Sequence, residues 1–106
     1  MNPDRWKTFS LAFQLVTIAV DLSRTIHQLE AGLNDRAWRS LQRARVYARL
    51  TIEELPGRLP KDIRASLVQF CEEGENSGAV NLQAVQTMQH ILEPYNMIVA
   101  RERGVA

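Results

Sequence analysis

Histidine, cysteine and clustered carboxylates are where chemistry would begin, and this chain has few of them. The histidines and cysteine are His27, Cys71 and His90. They fall on three separate helical segments, and none belongs to the close-spaced ligand pair that structural zinc uses. Glu72, Glu73 and Glu75 form a carboxylate cluster without the Asp-rich alternation of a calcium loop, so a solvated acidic loop is the simpler reading. No serine, cysteine or lysine stands beside a recognisable activating neighbour. There is no glycine-rich phosphate loop. The expectation is a protein that is not an enzyme and holds no cofactor or metal.

One segment does resemble a known site. His27-Gln28-Leu29-Glu30-Ala31-Gly32 resembles the phosphorylated segment of histidine-phosphotransfer domains, helical bundles with a His-x-Leu-Lys-Gly pattern. The resemblance implies His27 as a phosphoryl acceptor. It departs from the family at Glu30, where the family has a lysine near the phosphoryl group. A carboxylate one turn away repels that group, so His27 reads as a helix-surface residue whose positive form suits a helix C-terminus.

Arginine is the more informative residue type. The chain of 106 residues has a net charge of +1, unevenly spread. Residues 1–33 are neutral, residues 34–61 carry +4 and residues 62–106 carry −3. Arg36, Arg39, Arg43, Arg45 and Arg49 lie within one stretch, interleaved with Trp38 and Tyr47. Guanidinium groups contact phosphates bidentately and stack on bases, so these five are candidate nucleic-acid contacts. The plainer alternative is a solvated face paired with Glu53, Glu54 and the acidic C-terminal part. At helical spacing Arg36, Arg39 and Arg43 share one side, and Arg45 and Arg49 lie nearly opposite.

The elements that would position these residues are helices. Hydrophobic residues make up 45% of the chain, ordinary for a globular protein. Between Trp6 and Leu33 there are two apolar stripes at 100° per residue. One runs Trp6, Phe9, Phe13, Val16, Val20. The other runs Leu11, Leu15, Ile18, Leu22, Ile26 (or Thr25), Leu29, Leu33. A helix with two stripes must be covered on two sides, whereas a surface helix needs one. Pro3 favours a start there, and Gly32 a left-handed stop. Asn34 is the expected next N-cap, which leaves a linker short enough for an antiparallel hairpin. A second helix carries Ala37, Leu41, Ala44, Ala48, Ile52 and Leu55 inward and stops at Pro56-Gly57. A third carries Ile63, Leu67, Phe70 and Cys71, followed by a polar loop over residues 74–78. A fourth, capped by Ser77 or Asn81, carries Val85, Met88, Leu92, Tyr95 and Val99. Pro94 sits inside that last pattern and should kink it around His90 to Glu93 or break it into two short helices; the apolar phase persists through Pro94, which favours the kink. Residues 101–104 should fray.

The expected fold is all-α: one domain over residues 1–106, an antiparallel bundle of four helices at about 4–31, 35–55, 61–73 and 80–102. Arg5 and Lys7 before the apolar run Phe9–Val20 imitate a signal peptide. No small-x-small cleavage site follows, and the helical phase continues. The run is also too short to span a membrane. A lone cysteine forms no intrachain disulfide and suits a reducing, cytoplasmic setting. The expected function is protein–protein interaction, as an adaptor, inhibitor, chaperone or assembly subunit. Trp6, Phe9 and Phe13 form the expected interface with a protein partner or a second copy, and homodimerisation through the first helix is the specific expectation. The alternative is a small subunit contacting the nucleic-acid backbone within a larger ribonucleoprotein or DNA complex.

Overall fold

Gly32 turns the chain as its position requires. Its φ of 76° is left-handed, which L side chains rarely adopt. The Gly32 N–H donates to the Leu29 carbonyl at 3.0 Å and the Leu33 N–H to the Gln28 carbonyl at 2.8 Å. This pair of bonds is a Schellman stop. It joins α2 (Leu11–Glu30) to α3 (Asn34–Glu54) with almost no loop. The computed structural model describes residues 2–54, 57–75 and 80–102, with no side-chain description for Gly74 and Glu75. The other helices are α1 (Pro3–Trp6), α4 (Lys61–Glu75), α5 (Leu82–Leu92) and α6 (Tyr95–Glu102), and no strand occurs among the described residues. The radius of gyration of 13.5 Å is close to the ~13 Å of a compact chain this long.

The helices pack in chain order. α2 packs on α3, α3 on α4, α4 on α5, and α5 returns to α2. α6 also lies along α2, and α1 reaches α3. The core is the second of the two stripes: Leu15, Ile18, Leu22 and Ile26 of α2, with Leu41, Ala44 and Ala48 of α3. Leu59 of the turn before α4 and Ile63, Leu67, Phe70 and Cys71 of α4 close it on one side, and Val85, Met88 and Leu92 of α5 on another. Alanines at 44 and 48 remove bulk where α3 meets the large side chains of α2. The far end of the stripe is uncovered, since Leu33 lies beyond the helix stop and is 42% exposed.

Two expected helices are each divided. The first breaks between Lys7 and Ser10. Ser10 adopts extended backbone, and its Oγ accepts from the Phe13 N–H at 3.1 Å, so a new helix is capped there. The break turns Trp6 into the core instead of continuing the apolar stripe outward. The last expected helix breaks rather than kinks. Pro94 has no N–H, and the bonds on either side are tightened ones: Glu93 N–H to the His90 carbonyl at 3.3 Å and Asn96 N–H to the Glu93 carbonyl at 3.1 Å. The fold is all-helical, and the described residues form six helical segments. Smaller boundaries also move. Asn34 lies in the first turn of α3, where the Leu33 carbonyl accepts from the Ala37 N–H. α4 runs on to Glu75 through the start of the expected loop, and Asn81 caps α5 by accepting from the Ala84 N–H. The expected helix end at Leu55-Pro56, the alternative cap at Ser77, the rest of that loop at 76–78 and the expected fraying at 103–104 lie outside the described residues.

Trp6 is the deepest side chain brought in by the first break. Its Nε1–H donates to Thr51 Oγ1 at 3.0 Å, and Thr51 Oγ1 donates onward to Gln14 Oε1 at 2.9 Å. Gln14 Nε2 returns to the Trp6 carbonyl at 2.9 Å and the Phe9 carbonyl at 3.3 Å. These carbonyls belong to the break itself, so Gln14 satisfies backbone groups that an unbroken helix would have satisfied internally. The indole also stacks on Tyr47, with centroids 4.9 Å apart and planes 11° from parallel. Trp6, Gln14 and Thr51 are all fully buried. Thr51→Val keeps the shape but strands the indole N–H and the Gln14 carbonyl oxygen. We expect it to cost about 1–3 kcal/mol in urea unfolding. A change below about 0.5 kcal/mol, the usual surface range, would show that the relay contributes nothing to stability.

Candidate functional site

α2 meets α3 along a polar seam as well as an apolar one. Gln14, Asp21 and Gln28 recur every seven residues on the side of α2 that faces α3. Each finds a partner further back along the antiparallel helix. Gln14 bonds Thr51, Asp21 meets Arg43, and Gln28 Oε1 accepts from Ser40 Oγ at 2.7 Å. Asp21 is 3% exposed, and a carboxyl group buried to that extent needs polar partners. Its Oδ1 lies 3.3 Å from Arg43 Nε and 3.5 Å from Arg24 Nη1. Arg43 Nη2 also donates to Ser40 Oγ at 3.4 Å, which links two stations of the seam. Farther out, Lys7 Nζ sits 3.0 Å from a Glu54 carboxylate oxygen, and this hydrogen bond and charge raise the ammonium pKa.

This seam separates the five arginines of α3. Arg36 and Arg39 are exposed. Arg43 is exposed as well, yet its Nε is committed to Asp21. Arg45 is not on the surface. It is 6% exposed, with its guanidinium 5.5 Å above the Trp38 ring, a cation–π geometry that replaces hydration. Arg49 is half-buried. Of the five expected contacts, Arg36, Arg39 and Arg43 are thus exposed, Arg49 is half-buried and Arg45 is buried.

The expected apolar interface is redistributed in the same way. Trp6 is 0% exposed and belongs to the interior, because the break after it points it at Thr51 and Tyr47. Phe9 and Phe13 stay half-buried, in contact at 4.9 Å between centroids. Beyond them the first stripe continues along α2 to Val16, half-buried, and Val20, 44% exposed. Here the covering helices leave a gap. Phe13, Val16, Thr17, Val20, Asp21 and Arg24 of α2, Arg43 and Tyr47 of α3, and Val99 of α6 line an open groove of about 350 Å³. Val99 and Tyr47 form its two walls and the stripe forms its floor. Sequence reasoning found the stripe but not which part of it stays open. The division of the first helix hides Trp6, and only packing shows where α3 and α6 stop short.

A second groove, about 750 Å³, also borders Val20 and is lined mostly by polar residue types. His27 and His90, distant in sequence, both line it, with Arg24, Ser23, Gln86, Gln89 and Glu93. Gln89 Nε2 donates to Ser23 Oγ at 2.9 Å across it, and His90 Nδ1 lies 3.5 Å from Glu93 Oε2. Cys71 is elsewhere, buried in α4, with Sγ 3.9 Å from the Arg45 carbonyl. Among the described residues no three His, Cys, Asp or Glu side chains are grouped to hold a metal ion, and no helix is long and apolar enough to cross a membrane. His27 and Glu30 are both exposed near the end of α2. No protein-family model, curated protein or solved structure matches the chain.

The two arginine classes should behave differently. Arg43→Met leaves Asp21 buried with one partner fewer and should cost about 1–3 kcal/mol in denaturant unfolding. Arg39→Met, on the exposed face, should stay within about 0.5 kcal/mol. Equal effects would refute the assignment of Arg43 to Asp21.

Proposed function

We propose that this chain is a non-enzymatic protein-interaction module, acting in the cytoplasm as an adaptor, inhibitor, chaperone or assembly subunit. It binds through the apolar strip that runs from Phe9, in the break before α2, along α2 to Val20. The observation that carries this reading is the groove over Phe13, Val16 and Val20. There an apolar stripe of the central helix stays open although three helices pack against α2. Isolated exposed apolar residues are ordinary on any surface, but a lined apolar groove is a feature of binding sites. The homo-oligomeric form of this reading seats a second copy on the same strip.

Val20→Asp tests it. Val20 is 44% exposed, so the substitution should leave the thermal melt nearly unchanged and abolish association. Trp6→Asp should instead unfold the chain, by about 3–5 kcal/mol or more for a buried tryptophan. Light scattering coupled to size exclusion reads both. A partner or dimer that persists unchanged in Val20→Asp would sink the strip as the interface.

A second reading has its own observation. Arg36, Arg39 and Arg43 recur at three and four residues, all exposed on α3, and could follow a nucleic-acid backbone. Three phosphate contacts would give an affinity falling with salt at a log–log slope of about −2 to −3. Arg36→Glu with Arg39→Glu should flatten that slope. Salt-independent behaviour with no nucleic acid on the purified peak would rule this reading out.

A further inference from the structure

We infer that the groove between α2, α3 and α6 takes an acidic amphipathic helix of a different protein rather than a second copy of this chain. The inference rests on the interaction reading above and names the partner's chemistry. The floor residues Phe13, Val16 and Val20, and Arg24 beyond them, follow one another at three and four residues along α2. They span about 16 Å, or about three helical turns. A linear apolar groove along a helix flank is the shape that helix-in-groove recognition uses.

Charge selects the occupant. The charged residues lining the groove are Asp21, Arg24 and Arg43. The Asp21 side chain is 4% exposed, whereas those of Arg24 and Arg43 are 59% and 49% exposed. The carboxylate therefore lies beneath, and the groove presents two guanidinium groups to solvent. Each has five N–H donors, of which the buried carboxylate engages one. Arg39, one turn from Arg43 on the exposed face of α3, extends the same sign. A twofold dimer would lay this groove on itself and bring Arg24 and Arg43 against their own kind while water is expelled. A helix with an apolar face flanked by Asp or Glu meets both the floor and the rim.

The test uses two fluorescein-labelled synthetic peptides of about 15 residues, four helical turns. Both carry leucines at i, i+4, i+7 and i+11 on an alanine background, one flanked by glutamates and one by lysines. Anisotropy is read against the full chain, with Val20→Asp and Arg24→Gln as variants and thermal melts to confirm that they fold. The glutamate peptide should bind about tenfold more tightly than the lysine peptide. Arg24→Gln should narrow that gap, and Val20→Asp should abolish binding. Equal binding, or preference for the lysine peptide, overturns the charge selection and leaves the groove as a docking site. If neither peptide binds while light scattering shows a dimer that Val20→Asp dissolves, the occupant is a second copy. If neither binds and the chain is monomeric, the interaction reading falls with the inference.

Discussion

α2 carries more apolar surface than one contact can bury. Two stripes run along it, so neighbours must approach from several directions at once. α3 takes one flank, α5 and α6 take another, and α4 closes the core without lying on α2 as a principal neighbour. The hydrophobic gain, roughly 25 cal/mol for each Å² removed from water, drives this arrangement. A chain of this length has only so much helix to supply. Three of the helices are long, and α6 covers only part of the N-terminal half of α2. The uncovered remainder is the groove at Val20.

Apolar packing alone would let α3 slide along α2. The polar seam removes that freedom. Gln14, Asp21 and Gln28 each require a partner at one height, and a shift by one turn would bury a glutamine amide or a carboxylate without one. Gly32 sets the distance from the turn, and the seam holds the register from there to Thr51. The same seam determines which arginines remain on the surface, because Arg43 is drawn to Asp21 while Arg36 and Arg39 have exposed positions.

The N-terminal break joins fold to surface. With Ser10 as a fresh cap, the segment before it is released from the axis of α2. Trp6 folds inward and stacks on Tyr47, which also forms a wall of the groove. Ser10 Oγ donates to Glu102 Oε1 at 3.0 Å, so the cap also ties down the end of α6, whose Val99 forms the other wall. The groove is thus held open between side chains fixed for reasons of core packing.

Much of the helical content was legible in the residues. Pro3, Gly32, Asn81 and Pro94 mark real boundaries, because their backbone preferences are local. The stripe Leu15, Ile18, Leu22, Ile26 is the core, as is Ala37, Leu41, Ala44, Ala48, because helical period depends on spacing alone. What tertiary structure decided was which of two equivalent-looking choices each element made. Ser10 could continue a helix or cap one, and it caps because Trp6 gains a buried pocket by the break. Arg45 and Arg39 are the same residue type on the same helix, yet one lies over Trp38 inside and the other faces water. His27 and His90 share a groove only because α5 returns to α2. Local preference is written in the residue and its near neighbours. Exposure depends on what the rest of the chain places opposite, and here that decides that Trp6 is buried while Val20 stays open.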